Sequence, residues 1–309
     1  MEQFTTVILP YILSGISVGG QYALIAIGYT MVYGILRLIN FAHGDVFMVA
    51  GLMMVYLSAA LPLYLAVPVV ALLTVALGFV IEKIAYKPLR SAPRMSVMIS
   101  AIGVSYLLQN LALYVTGGLN KTYPTIPWIS DQVDLFGATT KRVTLITPVL
   151  TIILVILLVQ LINHTKVGMA MRAVAKDFET SQLMGIKINN VISVTFIIGS
   201  FLAAVGSMLY FSNYPGVVPT SGAMPGLKAF VAAVFGGIGS IPGAVIGAFI
   251  IGVFESLIKG LDTILTTFHI IQSPLELSTF SDAFTFVLLI VILVFKPTGL
   301  FGEKATDKV

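Results

Sequence analysis

The chain has 309 residues, of which 58% are hydrophobic and only 10% are charged. A soluble domain carries about 25% charged residues, so this sequence cannot cover a water-exposed surface with polar side chains. Its formal net charge of +4 comes from basic residues in short loops between apolar runs, a pattern that orients membrane proteins and argues against nucleic-acid binding. The absence of cysteine excludes disulfides and thiolate chemistry. These features indicate a polytopic membrane protein.

Six apolar runs are predicted to cross the bilayer as helices, because a core about 30 Å thick requires roughly 20 apolar residues per span. The first follows MEQFTT, which has neither a basic region nor a cleavage signal, so we expect an uncleaved span and no signal peptide. In chain order the runs are 7–27, 64–81, 97–116, 143–162, 191–211 and 283–296.

The basic residues predict which loops lie in the cytoplasm. Eleven of the seventeen Lys and Arg residues fall in 82–95, in 163–190 and in the tail after Phe295. Since cytoplasmic loops carry an excess of Lys and Arg, these three segments are placed inside the cell. Residues 117–142 and 255–282 are expected on the outer face, and the second of these carries four acidic residues against one lysine.

Two motifs interrupt the remaining apolar sequence, INFAHGD at 39–45 and GGIGSIPG at 236–243. Non-helical backbone at membrane depth is tolerated only where protein or water satisfies its polar groups. We therefore expect residues 28–60 to fold back around the first motif and residues 226–258 to form two short helices around the second. The predicted fold is an all-α polytopic membrane protein of about ten membrane segments, with both termini in the cytoplasm.

The first motif permits two interpretations. In the structural one, its polar residues lie in a cytoplasmic turn and Asp45 caps a helix that begins at Val46. In the functional one, both motifs line a transport path, because broken helices in corresponding parts of two halves point to such a path. The candidate path residues are Asn40, His43, Gly44, Asp45, Gly236, Gly237, Gly239 and Ser240.

Three isolated polar residues have simpler interpretations. His43 is not expected to bind a metal, because the other two histidines do not fall at ligand spacing with it. Arg37 is expected to reach a lipid headgroup or to pair with Asp45. Lys228 is expected to extend toward the outer membrane surface or to face a water-filled vestibule.

Glycines at Gly-x-x-x-Gly spacing predict close helix packing. These glycines are Gly15 and Gly19, and then Gly239, Gly243 and Gly247.

The segment 163–190 is the longest polar stretch assigned to the cytoplasm. Asp177 is a good helix N-cap and Gly185 is a natural residue after a helix end, so residues 178–184 are predicted to form about two helical turns. A helix this short is marginal in water, which favours either binding to a partner protein or rest on lipid headgroups. Its apolar contact residues would be Phe178, Leu183 and Met184.

Four stretches resemble the LivH-type permeases of branched-chain amino acid ABC importers. They are GQYALIAIGYTMVYGILRLINFAHGDVFMVAG at 20–51, AVAKDFETSQLMGI at 173–186, GLKAFVAAVFGGIGSIPGAVIGAFIIG at 226–252 and KPTGLFG at 296–302. The likeness runs nearly end to end and includes both interrupting motifs. The outer loop at 119–142 is the least similar part.

The resemblance implies one transmembrane permease domain over 1–309, multi-pass in a bacterial inner membrane, with 163–190 as its cytoplasmic coupling segment. The implied partners are a second permease subunit, two cytoplasmic ABC ATPase subunits and a periplasmic substrate-binding protein. The implied cargo is leucine, isoleucine or valine, although related permeases carry urea and short amides. Within the coupling segment, the resemblance assigns contact with the ATPase to Asp177, Phe178, Glu179, Thr180, Leu183, Met184 and Gly185.

Missing motifs restrict the mechanism. No G-x-x-x-x-G-K-[ST] motif occurs, so ATP would be hydrolysed by the partner subunits, and we expect no cofactor and no enzymatic activity in this chain. An ion-coupled carrier would place ionisable groups within the membrane, whereas here Asp45 and Glu255 are expected near helix ends. An intramembrane enzyme is disfavoured because neither H-E-x-x-H nor G-x-S-x-G is present.

Overall fold

The fold is a bundle of apolar helices. The computed structural model describes residues 7–90, 92–135, 138–269 and 275–302. Within those ranges, eight helices are long and apolar enough to cross a bilayer, and a ninth apolar helix, α9, is shorter. The helices are α1 (Leu9–Leu36), α2 (His43–Ala60), α3 (Leu63–Ile81), α4 (Arg94–Thr116), α5 (Arg142–His164), α6 (Lys166–Lys176), α7 (Phe178–Leu183), α8 (Ile188–Asn213), α9 (Ala223–Gly236), α10 (Ile241–Thr267) and α11 (Ser281–Phe295).

Short antiparallel strands lie in the loops that the sequence places on the outer face. Strand β1 (Lys121–Thr122) pairs antiparallel with β4 (Gly216–Val217), which ties the loop after α4 to the loop after α8. Strands β2 (Gln132–Leu135) and β3 (Ala138–Lys141) pair antiparallel in the same loop. Four short strands leave the chain mainly helical, as expected.

Helix α1 lies at the centre of the bundle and is buried over most of its length. It packs closely along α10, where glycines let the two backbones approach each other. A Cβ atom added at Gly15 would lie 2.6 Å from the Cα of Val253, and one added at Gly19 would lie 2.7 Å from the Cα of Phe249. The predicted packing role of these two glycines is confirmed.

The two interrupted regions differ in detail from the expectation. Helix α1 runs without a break to Leu36, so residues 28–36 extend the first span and only residues 37–42 form the turn. After the second motif, α10 has 27 residues and is long enough to cross the membrane, so only α9 is short. The nine apolar helices in the described ranges are close to the expected count of about ten. The expected count was one higher because residues 28–36 were counted in a separate segment, whereas they belong to α1.

The first motif lies deep in the bundle. A Cβ atom added at Gly28 of α1 would meet the His43 ring at 2.1 Å, and one added at Gly199 would lie 3.6 Å from the same ring. Gly199 is the twelfth of the 26 residues of α8, so the start of α2 is level with the middle of a complete span. The expected cytoplasmic turn is therefore wrong for the end of this motif, because α2 begins inside the bundle.

Candidate functional site

The starts of α2 and α9 meet inside the bundle. A Cβ atom added at Gly222 would lie 2.1 Å from the Gly44 carbonyl oxygen, and one added at Gly44 would lie 3.1 Å from the Cα of Gly226. Only glycine permits this approach, because any side chain at these positions would overlap the facing backbone. Two helices that begin at mid-depth and point in opposite directions are thus joined at their first turns.

A cavity of about 210 Å³ lies beside this junction, and we call it the α2–α9 cavity. Its polar wall consists of a carboxylate, a hydroxyl and an amide from α2 and α4. Its apolar wall consists of aromatic and aliphatic side chains from the first motif and from α9. The residues that carry these groups are Asp45, Ser105 and Gln109 on the polar wall, and Phe41, Leu227 and Phe230 on the apolar wall.

Asp45 is held by two side chains of α4. The Ser105 hydroxyl donates to Asp45 Oδ2 at 2.5 Å, and the Gln109 amide donates to Oδ1 at 3.0 Å. Gln109 also lies 3.3 Å from the Ser105 oxygen, so the three groups form one network. Helix α2 has Ala42 at its N-cap with no side-chain cap, and it begins at His43. The prediction that Asp45 caps a helix beginning at Val46 is therefore wrong.

The other polar residues of the first motif point elsewhere. His43 is buried against Gly28 and lies edge-on to Tyr29, with ring centroids 5.1 Å apart, and it does not line the cavity. Asn40 accepts a hydrogen bond of 2.6 Å from the Tyr86 hydroxyl. Of the four candidate path residues in this motif, the structure places Gly44 and Asp45 at the cavity.

Arg37 does not pair with Asp45. It donates instead to the backbone carbonyl of Ala175 at 3.2 Å, and it has a left-handed φ of 54°. This contact joins the end of α1 to α6, beside the predicted coupling segment. The expectation of pairing with Asp45 is wrong, because the turn directs the guanidinium toward the cytoplasmic helices.

The second motif is separated from the cavity by the length of α9. Fourteen helical residues span about 21 Å, so the structure does not bring Gly236, Gly237, Gly239 and Ser240 to Gly44 and Asp45. Ser240 caps α10 by accepting from the Gly243 N–H at 3.2 Å. Gly243 and Gly247 pack against the backbone of α9 as predicted, whereas a Cβ atom added at Gly239 would meet nothing within 4 Å.

The C-terminal segment covers the second motif. The N–H groups of Leu300 and Phe301 each donate at 2.9 Å, to the carbonyl oxygens of Phe235 and Gly236 respectively. Gly237 has a φ of 108°, and a Cβ atom there would lie 2.4 Å from the Gly302 nitrogen. These contacts pair the last carbonyl groups of α9 with N–H donors. The break at the second motif therefore has a structural role.

Helix α7 forms where the sequence predicts it, on the face carrying the basic loops. Asp177 is its N-cap and accepts from the Thr180 N–H at 3.0 Å. Leu183 and Met184 are 87% and 79% exposed, although both are apolar. Gly185 follows with a φ of 82°, which suits a glycine after a helix end. The predicted local structure is confirmed, and the predicted contact with an ATPase stays a prediction.

Phe178 differs from the other apolar residues of α7. Its side chain lines a cavity of about 280 Å³ between α7, the end of α1 and the loop before α4. Tyr86, Arg90 and Arg94 line the same cavity. Phe178 therefore faces the helical bundle, and the outward apolar surface at the end of α7 consists of Leu183 and Met184.

A π-helix (Glu82–Tyr86) continues α3 beside that cavity. Glu82 is fully buried, accepts from the Ser193 hydroxyl at 2.9 Å and is paired with Arg90. Burial lowers the pKa of the Arg90 guanidinium, and the charge of Glu82 opposes that change. Arg90 also donates to Asn189 at the start of α8. Single π-helical turns are frequent at functional sites, and this one links α3 to α8 near the coupling segment.

A second buried charge cluster lies between α9, α10 and α11. Lys228 is 5% exposed and pairs with Glu255 at 2.7 Å and with Asp282 at 2.6 Å. The Tyr22 hydroxyl donates to Glu255 at 3.0 Å, and Lys259 donates to the same carboxylate. The expectation that Lys228 extends to the membrane surface is therefore wrong.

These positions remove one argument used against an ion-coupled carrier. Asp45 is 2% exposed and lies in the first turn of α2, near a helix end as expected, but that turn is inside the bundle. Glu255 is 1% exposed and lies in the middle of α10, whereas the sequence placed it near a helix end. Buried ionisable groups in membrane helices mark functional sites in many transporters. The choice between the two classes of transporter therefore depends on the relatives of the chain.

Two residues of the polar wall were missed by sequence reasoning. Ser105 and Gln109 are four residues apart in α4, so they lie on the same face of that helix. Polar side chains at this spacing within an apolar span are a detectable signal. Nothing in the sequence indicates that this face lies opposite Asp45.

The fold and these sites are those of a multi-pass membrane protein. The chain belongs to the family of permease components of branched-chain amino acid transport systems, whose model matches residues 11–293.

Relatives resemble the chain over its whole length. The LivH permease protein of a high-affinity branched-chain amino acid transport system from Salmonella typhimurium is 38% identical over 100% of this chain and 99% of that protein. The corresponding BraD protein of Pseudomonas aeruginosa is 38% identical over 97% of this chain and 98% of that protein. A solved metal-chelate type ABC transporter in an inward-facing conformation covers 95% of this chain and 88% of its own, with 16% identity and a TM-score of 0.46.

Proposed function

We propose that this chain forms half of the translocation pathway of an ATP-driven importer of branched-chain amino acids. The observation that carries this proposal is the full-length identity of 38% to LivH and BraD, whose names state that transport activity. Urea and short amides are the alternative cargo, and the ion-coupled carrier is the alternative mechanism. Neither alternative has support among these relatives.

The energy for import would come from partner subunits. The chain has no phosphate-binding loop, and its α7 exposes Leu183 and Met184 on the face that carries the basic loops. Exposed apolar residues on a short helix are suited to a groove on another protein. Two ABC ATPase subunits would bind α7 on this and a second permease subunit, and a periplasmic protein would deliver the amino acid.

Helix α7 and the π-helix line one cavity at the side of the bundle. Phe178 lines the same cavity as Tyr86, and Tyr86 donates to Asn40 in the turn before α2. The cavity and this hydrogen bond therefore lie between α7 and the first motif. In this mechanism, ATP-driven displacement of α7 shifts the turn that positions Asp45.

The membrane would be a bacterial inner membrane, with the C-terminal end of α11 in the cytoplasm. We place the beginning of α1 on the outer side, which revises the expectation of two cytoplasmic termini. Eight helices of the described ranges are long enough to cross the membrane, and the chain also returns through the shorter α9, whose end contacts residues 300 and 301 after α11. The chain therefore changes sides nine times in the described ranges, which leaves the two ends on opposite faces. No Lys or Arg precedes Arg37, so the positive-inside rule does not hold the N-terminus in the cytoplasm.

Transport by the complete complex tests the proposal. The permease pair, the ATPases and the binding protein would be reconstituted in vesicles and supplied with labelled leucine, valine or urea. We expect ATP-dependent uptake of leucine and valine and none of urea. Uptake of leucine by this subunit alone under an ion gradient would contradict the proposal.

A further inference from the structure

We propose that the α2–α9 cavity binds an α-amino acid during transport and that Asp45 receives its ammonium group. This inference rests on the proposed function and adds a location and a chemical recognition to it. It depends on the volume of the cavity, on the free acceptor capacity of Asp45 and on the composition of the apolar wall.

The volume of the cavity limits what can occupy it. At about 210 Å³ it is smaller than the roughly 300–1,000 Å³ that is typical of sites for drug-sized ligands. It is nevertheless several times larger than the approximately 30 Å³ that one water molecule occupies in the liquid. A small metabolite therefore fits, whereas a peptide or a lipid headgroup with its chains does not.

Asp45 retains the capacity to bind a cation. A carboxylate has two oxygens and about four acceptor positions, and Ser105 and Gln109 each occupy one of them. The described residues supply no Lys or Arg partner for Asp45 within salt-bridge distance, so its charge is balanced only by neutral donors. An ammonium group in the cavity would complete the network with a charge-assisted hydrogen bond.

The apolar wall is suited to an aliphatic side chain. Phe41, Leu227 and Phe230 also line the cavity, and they offer apolar surface without a charge. An ammonium group attached to an aliphatic side chain therefore matches both the polar and the apolar lining of the cavity.

The cavity opens on the surface of this chain. Leu227 is 41% exposed and Ala223 is also exposed, so the opening lies on the outer surface of this chain. A carboxylate and an amide facing lipid would be costly, because hydrocarbon offers them no hydrogen bonds. The second permease subunit would cover the opening and enclose a path between the two chains.

Cysteine protection by leucine tests the inference. The chain has no cysteine, so Leu227→Cys introduces a single reactive thiol into this subunit at the cavity. In the complete reconstituted complex, we expect saturating leucine to slow the reaction of this thiol with a methanethiosulfonate reagent several-fold. The control Leu119→Cys, at a position 64% exposed in the outer loop, should react equally with and without leucine.

Substitution of the carboxylate provides the second measurement. Asp45→Asn should lower leucine uptake roughly tenfold or more, because a charge-assisted hydrogen bond is about twice as strong as a neutral one. Asp134→Asn, on the exposed outer hairpin, is the matched control and should leave uptake unchanged. Stimulation of ATP hydrolysis by the binding protein shows whether the Asp45→Asn complex is assembled.

The outcomes distinguish the proposed function from the proposed location of the amino acid. If the wild-type complex does not import leucine, the proposed function fails. If it imports leucine but leucine does not protect Leu227→Cys and Asp45→Asn transports normally, only the location at the α2–α9 cavity is overturned. If the Asp45→Asn complex does not assemble, protection of Leu227→Cys by leucine is the measurement that tests the location of the amino acid.

Discussion

Glu255 accepts hydrogen bonds from Tyr22, Lys228 and Lys259 although it is 1% exposed. Burial of a charge in an apolar bundle is unfavourable unless opposite charges and hydrogen bonds surround it. Here the network connects α1, α9, α10 and α11 at one level of the bundle. We expect its main effect to be on the position of α9, whose first turn forms one side of the α2–α9 cavity.

Removal of one partner from this network should destabilise the protein more than removal of both. Lys228→Met leaves Glu255 with Tyr22 and Lys259 and removes the cation that it shares with Asp282. We expect this change to lower the free energy of unfolding by about 1.5–3 kcal/mol. The double variant Lys228→Met with Glu255→Met removes the buried charges together, so it should unfold at a higher temperature than the single variant. Thermal unfolding of the purified complex in detergent measures both.

The exposed Glu276→Gln is the control for this comparison and should leave the unfolding temperature unchanged. A double variant that is less stable than Lys228→Met would show that the pair itself contributes net stability. That result would contradict the expectation that a buried carboxylate with an incomplete set of partners is the main source of instability.

At the scale of elements, α7 depends on its neighbours for its conformation. Six residues alone do not form a stable helix in water. Here the Asp177 side chain caps the first turn and Gly185 ends the helix, so both ends are defined by local structure. Its side facing the bundle holds Phe178 against the end of α1. Its other side presents Leu183 and Met184, so a partner protein can bind without disturbing the helix.

Truncation of the outward side chain should weaken the complex and leave the fold intact. We expect Leu183→Ala to reduce co-purification of the ATPase subunits and to lower leucine uptake at least several-fold, because an exposed apolar anchor is lost. Leu119→Ala removes an equally apolar side chain from the opposite face and is the control. Normal uptake and normal co-purification with Leu183→Ala would exclude α7 as the coupling helix.

Sequence patterns predicted the elements better than the contacts between them. Helix α7 was predictable because its cap, its length and its terminal glycine are local signals. The continuity of α1 was not, because the apolar pattern through residues 28–36 is the same in a continuous helix as in one that folds back. The junction of Gly44 with Gly222 joins positions far apart in the chain, and only the packed bundle brings them together.

At the scale of the whole molecule, the number of crossings determines the side of the N-terminus. We expect a thiol introduced by Gln3→Cys to react with a membrane-impermeant maleimide in intact spheroplasts. Leu119→Cys should react as well, whereas Leu183→Cys should react only after the membrane is opened. Protection of Gln3→Cys until lysis would restore the expectation of two cytoplasmic termini and would require one more crossing.

The contact between residues 300–302 and the end of α9 has a consequence for biosynthesis. The ribosome makes α9 well before it makes Leu300 and Phe301, whose N–H groups bind the carbonyl groups of Phe235 and Gly236. During translation this bend must therefore be satisfied by water or by the insertion machinery. This end of α9 can therefore reach its final arrangement only after residues 300 and 301 have left the ribosome.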